Sequence, residues 1–363
     1  MNTSGPKEEY VLNTHNVLEY LEKRWNVTTT PTASVEVLRG GVSNFVVRVD
    51  GLASPWPSIV LKQARPKLRT QIDWFSRCER IYREAEALRL LKALLPAQAV
   101  PDPLFEDRQH YILGLSTITA DHVMWKTQLL QGVWNPEIAL TLGTWLATIH
   151  GSTHQDSDCQ QAFGDWSLFD ELRIDPFYRH LARNHPAQAP LLNYLIDQMS
   201  RHRHCLVLAD FSPKNILCYV GGPTLVDFET AHWGDPAFDL GFFLSHLLLK
   251  ASLNRAPQQA VALVLETFMT TYLQTLESFA DNTACRGMLS RVPGHLAACM
   301  WARIDGKSPV DYLDSDNLRV RLRLRAQAWL GAMDQLTLHV MLQGYLQDFV
   351  SLNVPTVTGD PPP

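Results

Sequence analysis

The sequence lacks the features of several large protein classes. It contains no uninterrupted run of about 18 apolar residues, so we expect no transmembrane helix and no membrane partner. Its first residues are polar and include Pro6, unlike the charged and then apolar start of a secretory signal. The 32 basic residues do not exceed the 37 acidic ones, and the formal charge is −5. This balance disfavours a dedicated nucleic-acid-binding protein, in which a basic excess is typical.

Cysteine pairs and metal-binding motifs are also missing. The six cysteines are scattered and form no C-x-x-C pair: Cys78, Cys159, Cys205, Cys218, Cys285 and Cys299. In a chain of this length, that pattern predicts reduced thiols in a cytoplasmic protein. His202 and His204 have no cysteine or carboxylate cluster beside them, so we interpret them as a surface loop rather than a metal site. The zincin, serine-hydrolase and Walker A motifs are absent too.

What is present is the composition of a folded chain with a sizeable core. Of the 363 residues, 46% are apolar and 19% are charged. Strand patterns at 34–38, 45–49, 59–62 and 111–115 surround one strongly helical stretch at 81–95. Further along, apolar-faced helices are predicted at 138–150, 191–202, 241–250, 258–277 and 326–352. We therefore predict an α+β chain: a small antiparallel β lobe with one main helix over 1–115, a larger, mostly helical lobe over 116–353, and a flexible tail over 354–363.

The most informative segment is LVLADFSPKNIL, residues 206–217. A predicted strand delivers Asp210 into a tight turn, Asn215 enters the next strand, and Asp227 follows at the end of the next hairpin. Oxygen-bearing side chains on adjacent strand ends suit phosphoryl transfer. Asn215 and Asp227 would hold Mg²⁺ on nucleotide phosphates, and Asp210 would accept the proton of an acceptor hydroxyl. Asp and Asn are also common turn formers, but three such turns in this order favour the catalytic interpretation.

These residues resemble the signature of the aminoglycoside phosphotransferase and choline-kinase-like family, H-G-D-x-x-x-x-N followed by D-x-E. The resemblance continues into GDPAFDL, residues 234–240, and covers about residues 35–250. It implies a bilobal, protein-kinase-like fold with ATP (GTP being possible) and Mg²⁺ as cofactors. The implied partner is a small-molecule hydroxyl acceptor: a metabolite, a sugar or an aminoglycoside-like compound. There is also some likeness to methylthioribose kinases.

The upstream motifs resemble the nucleotide-binding elements of that family. LRGGVSNFVVRV, residues 38–49, resembles its glycine loop, and REAEAL, residues 83–88, resembles the helix that supplies a glutamate to the third-strand lysine. The resemblance assigns to nucleotide binding Gly40, Gly41, Ser43, Asn44, Lys62 and Glu84. The glycines let the backbone approach phosphate closely, and the lysine offers a point charge to the α and β phosphates. We favour Glu84 over Glu86 as the lysine's partner, because Glu86 faces elsewhere on the helix.

Other polar residues near the signature have more than one interpretation. Lys214, assigned with the nucleotide-binding residues, either offers positive charge to the transferred γ-phosphoryl group or faces solvent. Asp235 and Asp239 are interpreted as structural, with Asp239 as the N-cap of the following helix. His150 is interpreted as a helix residue with a backbone partner.

The sequence departs from the family in the catalytic loop. Leu208-Ala209 stands where the family has His-Gly, and Ser212 stands where it has a second histidine. The first histidine chiefly supports the loop in this family, so we still expect activity. A catalytically silent nucleotide-binding regulator is the alternative. A protein Ser/Thr kinase is a weaker one, because the sequence lacks H-R-D and an activation loop ending in A-P-E.

The acceptor site is the least defined part of the prediction. The polar loop that follows an apolar helix supplies three candidates, Arg303, Asp305 and Lys307, because some related kinases present basic residues there. The alternative is a simple turn built around Asp305 and Gly306. No acidic excess marks residues 251–363, whereas a polycationic aminoglycoside would favour an acidic wall. The oligomeric state stays open.

Overall fold

The N-terminal part of the molecule is an antiparallel five-stranded sheet. The computed structural model describes residues 10–38, 41–118, 121–279 and 287–351. The strands, in the order β1-β2-β3-β5-β4, are β1 Thr28–Val37, β2 Asn44–Ser54, β3 Ser58–Ala64, β4 Pro103–Asp107 and β5 Ile112–Leu115. The predicted hairpin and third strand are confirmed. β4 was not predicted, because Pro103 and two acidic residues obscure the alternation in a strand of five residues.

Two helices accompany this sheet, Val17–Trp25 and Arg80–Leu94. The second helix packs against the sheet and buries Ile81, Ala85, Leu88 and Leu91 completely. It ends one residue before the predicted end. Leu95 precedes a proline and takes an extended conformation, with φ −115° and ψ 163°, as steric clash with the proline ring favours.

The C-terminal part is mostly helical, as predicted. Its helices are Trp125–Leu130, Pro136–Ser152, Ser157–Phe163, Ser167–Phe169, a π-helix Asp170–Arg179, His180–Asn184, Ala189–Arg201, a 3₁₀ turn Pro213–Asn215, Pro236–Ala251, Gln258–Leu276, Val292–Asp305, Asp316–Gly331 and Leu338–Ser351. Its short strands are β6 Val123–Met124, β7 Cys205–Val207, β8 Ile216–Tyr219, β9 Gly222–Leu225 and β10 His232–Gly234. None of the helices in the described ranges is long and apolar enough to cross a membrane.

The core of this part forms around helix Pro236–Ala251, in which every residue is buried. It packs against Val292–Asp305 at Gly241, where a Cβ atom would lie 2.6 Å from the Cβ of His295. The helix begins at Pro236 rather than at the predicted 241, because Asp235 caps it by accepting the N–H of Ala237 at 3.1 Å. Because packing and capping fix the start of this helix, they also fix the end of the segment that precedes it.

The prediction of one helix over 326–352 is wrong within the described residues. Two helices, Asp316–Gly331 and Leu338–Ser351, are separated by a turn. The second begins beyond Thr337, whose hydroxyl accepts the N–H of Val340 at 3.3 Å. In the turn, Met333 is buried and Leu336 is half-buried, so the turn continues the apolar pattern. Periodicity alone therefore did not reveal the break.

Candidate active site

The loop between β7 and β8 holds the first two predicted residues together. Asn215, at the end of the 3₁₀ turn, donates through Nδ2 to the Asp210 carboxylate at 2.9 Å and to the Asp210 carbonyl at 3.0 Å. Asp227 follows β9 and has a left-handed backbone conformation, with φ +73°. The preceding residue, Val226, donates its N–H to the Asn215 carbonyl at 3.0 Å. Asp210, Asn215 and Asp227 line one cleft.

Lys62 joins this cleft to the N-terminal sheet. Its Nζ lies 2.7 Å from both carboxylate oxygens of Glu84 and 2.9 Å from Oδ1 of Asp227. Burial disfavours the charge on Lys62 and lowers its pKa. The negative charges of Asp227 and Glu84 outweigh the effect of burial, so that the pKa of Lys62 is raised. Burial raises the pKa of Asp227, and the charges of Lys62 and Lys214 reverse this and lower it. The predicted contact between Lys62 and Glu84 is therefore present, while Glu86 pairs with Arg83.

Two cations lie against Asp210, and one of them was not predicted. Arg173, on the π-helix, lies 2.9 Å from Oδ1 of Asp210 and donates through Nε to the Ala209 carbonyl at 2.6 Å. Lys214 lies 2.9 Å from Oδ2 and is 37% exposed, so it faces both the carboxylate and solvent. No sequence motif marks Arg173, because it reaches the loop from an element 37 residues earlier in the chain.

The glycine loop is anchored to the other end of the catalytic segment. Gly40 lies outside the described residues, and a Cβ atom at Gly41 would meet nothing within 4 Å. The Asn44 amide, predicted as a phosphate donor, donates instead to Glu229 at 2.9 Å. Arg80 is fully buried and donates to the same carboxylate at 3.1 Å and to the Ser43 carbonyl at 2.6 Å. Glu229 is the glutamate of the D-x-E segment, so this motif could have identified it as a residue of the site.

The three acceptor candidates point in different directions. Lys307 lies 2.8 Å from Asp175, and Asp305 forms an ion pair with Arg323 at 2.5 Å. Both side chains are engaged within the helical part, so we drop them from the acceptor site. Arg303 is different. Burial lowers its pKa, and Asp210 is among the negative charges that oppose this effect. The charge of Asp210 therefore acts on Arg303.

The loop that departs from the family is held by Asp239. Its carboxylate accepts the N–H groups of Leu208 at 2.8 Å and Ala209 at 2.7 Å, from inside the first turn of helix Pro236–Ala251. The interpretation of Asp239 as an N-cap is thus wrong, because Asp235 occupies that position. His150 contacts Asp239 at 3.2 Å and the Tyr272 hydroxyl at 2.8 Å, rather than a backbone group.

Ala209 has a left-handed backbone conformation, φ +58°, at the position where the family has glycine. This conformation costs a residue with a Cβ atom about 1–2 kcal/mol, and glycine avoids that cost. Glycine also has more conformational freedom in the unfolded chain, which offsets part of the gain in stability. We expect Ala209→Gly to raise the free energy of unfolding by about 0.5–1 kcal/mol, measured by denaturant titration. Ala87→Gly, inside helix Arg80–Leu94, is the matched control and should lower it. A loss of stability in both variants would contradict this account.

The donor set fits a magnesium-nucleotide complex. Among the described residues, no group of three His, Cys, Asp or Glu could hold a metal ion alone. Mg²⁺, however, commonly uses one or two side chains together with substrate phosphates. Nδ2 of Asn215 is engaged with Asp210, which leaves Oδ1 for a metal, and Lys62 contacts only one oxygen of Asp227. Asn215 and Asp227 are thus suited to share the ion with a nucleotide.

Comparison with known proteins identifies the family of this chain. A model described as the phosphotransferase enzyme family matches residues 34–281. The chain belongs to this family. The 4-hydroxytryptamine kinase of Psilocybe cyanescens is 26% identical over 265 residues, which cover 65% of this chain and 73% of that protein. The methylthioribose kinase of Erwinia tasmaniensis is 26% identical over 301 residues, covering 74% and 73%.

Solved structures support the same fold. Choline kinase from Cryptosporidium parvum matches with a TM-score of 0.52 at 12% identity, covering 92% of this chain and 100% of that one. The spectinomycin phosphotransferase APH(9)-Ia complex matches with a TM-score of 0.51 at 12% identity, covering 90% and 100%. At such identities the likeness concerns the fold alone. This member of the phosphotransferase enzyme family is a small-molecule kinase with an α+β, protein-kinase-like architecture.

Proposed function

We propose that the protein transfers the γ-phosphoryl group of Mg²⁺-bound ATP to a hydroxyl group of a small metabolite. The observation that carries the proposal is that Asp210 and Asn215, from one loop, line a cleft with Asp227, and that Lys62 of β3 contacts Asp227 there at 2.9 Å. No single motif dictates that arrangement. The relatives named as 4-hydroxytryptamine and methylthioribose kinases are consistent with a small-molecule acceptor.

Each residue has a distinct role in the proposed reaction. Lys62, held by Glu84, would neutralise the α and β phosphates, and Asn215 and Asp227 would position Mg²⁺, which offsets negative charge on the phosphate oxygens. Asp210 would accept the acceptor's hydroxyl proton while the new O–P bond forms and the bond to the ADP oxygen breaks. Because Lys214 is the exposed partner of Asp210, we expect the acceptor hydroxyl to replace it at Oδ2.

A thermal-shift titration with ATP, GTP and AMP, each with and without Mg²⁺, tests nucleotide binding. A ligand that binds only the folded state adds about 2.7 kcal/mol at 100 times its Kd, a shift of several degrees in Tm. We expect that shift with ATP only when Mg²⁺ is present. No shift with any nucleotide would contradict the proposal, and a larger shift with GTP would change the donor.

The second candidate is a regulator that binds nucleotide without turnover, and Leu208-Ala209 in the catalytic loop is the observation that favours it. Against it, Asp239 and Arg173 hold the backbone at Ala209 without the family's histidine. ADP release in the presence of a hydroxylated acceptor distinguishes the two functions. Mg²⁺-dependent binding with no transfer across sugars, amino alcohols and aminoglycosides would favour the regulator.

A further inference from the structure

A second group of cations lies in the helical part, and the charge of Asp210 acts on one of them, Arg303. Lys126, Lys250 and Arg303 come from three different helices, and we call them the basic cluster. Two of them surround Tyr312: the Nζ atom of Lys250 lies 5.0 Å from its ring centre and that of Lys126 lies 5.6 Å away. Repulsion between neighbouring cations is unfavourable unless an anion offsets it.

Lys250 has no counter-ion within the described ranges. Its side chain is buried, with 3% of the residue exposed. Its Nζ donates only to the His246 carbonyl at 3.2 Å and to the Tyr312 hydroxyl at 3.4 Å, both neutral acceptors. Burial lowers the pKa of Lys250, the charges of Lys126 and Arg303 lower it further, and Asp311 opposes them. A buried ammonium without a carboxylate is unusual, because desolvation disfavours its charge.

Unpartnered polar atoms mark the same place. In the part of the chain that the structure describes, Nε of Arg303 and Nε2 of His246 are buried without a hydrogen-bond partner. Both belong to one electrostatic neighbourhood, since the charges of Lys250 and Arg303 act on His246 together with those of Lys214 and Arg173. Buried donors of this kind normally have partners. An anionic oxygen would supply the missing acceptor.

Nearby carboxylates do not balance this charge. Asp210 is already shared by Arg173 and Lys214. Asp311 pairs with Lys126 at 2.9 Å, but its side chain is 76% exposed, so solvent weakens its field. The side chains of Lys250 and Arg303 are therefore available to an anionic ligand, whose negative charge would favour the protonated form of Lys250.

We propose that the basic cluster binds an anionic group, a carboxylate or a phosphate, on the acceptor, so that the acceptor is a hydroxylated acid and not an amine. The proposal rests on the proposed function. Arg173 and Lys214 contact Asp210, where the phosphoryl group is transferred. The hydrogen bonds of the basic cluster instead go to His246, Tyr312, Ser308 and Asp311. An acceptor whose acidic group lies in the basic cluster could present its hydroxyl to Asp210.

The test measures Tm for the whole protein saturated with Mg²⁺ and a non-hydrolysable ATP analogue, so that the nucleotide site is filled. Malonate, inorganic phosphate, glycerol and ethanolamine are then added as probes. We expect malonate, phosphate or both to raise Tm. Glycerol, which is neutral, and ethanolamine, which is cationic, should leave Tm unchanged. The larger response of malonate or phosphate assigns the acidic group to a carboxylate or a phosphate.

Variants locate the site. Lys250→Met should weaken anion affinity at least tenfold. Because it replaces a buried amine that has no carboxylate partner, it should not lower Tm without ligand. Lys307→Met, a half-buried lysine paired with Asp175, is the control and should retain the anion response. Arg303→Gln is the second variant, in case Lys250→Met does not fold. Equal anion affinity in wild type and variants, no anion response in the wild type, or a preference for ethanolamine would each overturn the proposal. Loss of the nucleotide-induced shift alone would instead count against the proposed function.

Discussion

Replacing Asp210 with asparagine should lower kcat for phosphoryl transfer by about 10²–10⁴-fold, the range typical of a lost general base. Asparagine keeps the size of the side chain, so the loop geometry should persist, but its amide cannot accept the acceptor's proton. Binding of Mg²⁺-ATP should change little, because Lys62, Asn215 and Asp227 remain. ADP release under saturating acceptor, together with nucleotide affinity from titration calorimetry, separates the two effects.

Asp305→Asn is the matched control for this substitution. Asp305 is also a carboxylate of the helical part in contact with an arginine, but it pairs with Arg323 outside the catalytic loop. We expect this variant to lose some stability and to retain its turnover number. Full activity in Asp210→Asn would show that another group accepts the proton.

Replacing Lys62 with methionine should destabilise the fold by about 3–5 kcal/mol at neutral pH, the usual cost of removing one partner from a buried ion pair. Glu84 and Asp227 would then face each other without the ammonium that now lies 2.7 Å and 2.9 Å from them. Glu84 is 1% exposed and cannot recover solvation. Denaturant titration of the variant and the wild type gives the difference directly. The double variant Lys62→Met with Glu84→Leu should recover part of the loss.

The same variant should show a defined pH dependence. Without Lys62, burial and mutual repulsion raise the pKa of both carboxyl groups above their unfolded values, near 4. A carboxyl group whose pKa is raised in the folded state destabilises the fold at pH values above its unfolded pKa. This destabilisation disappears as falling pH protonates the carboxyl group in the folded protein. The stability gap between Lys62→Met and the wild type should therefore narrow between pH 8 and pH 5. A gap that is the same at both pH values would contradict the assignment of the loss to these carboxylates.

The success of the sequence-based prediction follows from how far apart the interacting residues lie in the chain. Asp210 and Asn215 share one loop, and their spacing alone brings them together. The Lys62–Glu84 contact follows from a strand and a helix whose patterns were clear, and the helical spacing selected Glu84, because Glu86 faces elsewhere on the helix. The fold class was readable for similar reasons. Apolar periodicity marked most of the long helices, and turn residues marked the hairpins.

Arg173 and Lys250 could not be predicted in this way. Each lies within a helical segment whose pattern explains it as an ordinary surface or helix-end cation. Only the packing of distant elements brings Arg173 to Asp210 and Lys250 to Tyr312. Two of the three acceptor candidates show the opposite case. Asp305 and Lys307 were prominent in the sequence as a polar loop, but Arg323 and Asp175, which are remote in sequence, satisfy their charges.

The Arg80 contacts have a mechanical consequence. This one guanidinium joins the carbonyls of Ser43 and Arg65, beside the glycine loop, to the Glu229 carboxylate, two residues beyond Asp227. Separating the two lobes would strip a fully buried charge of acceptors on both sides, which is costly. The sheet and the catalytic segment should therefore move together as one rigid unit.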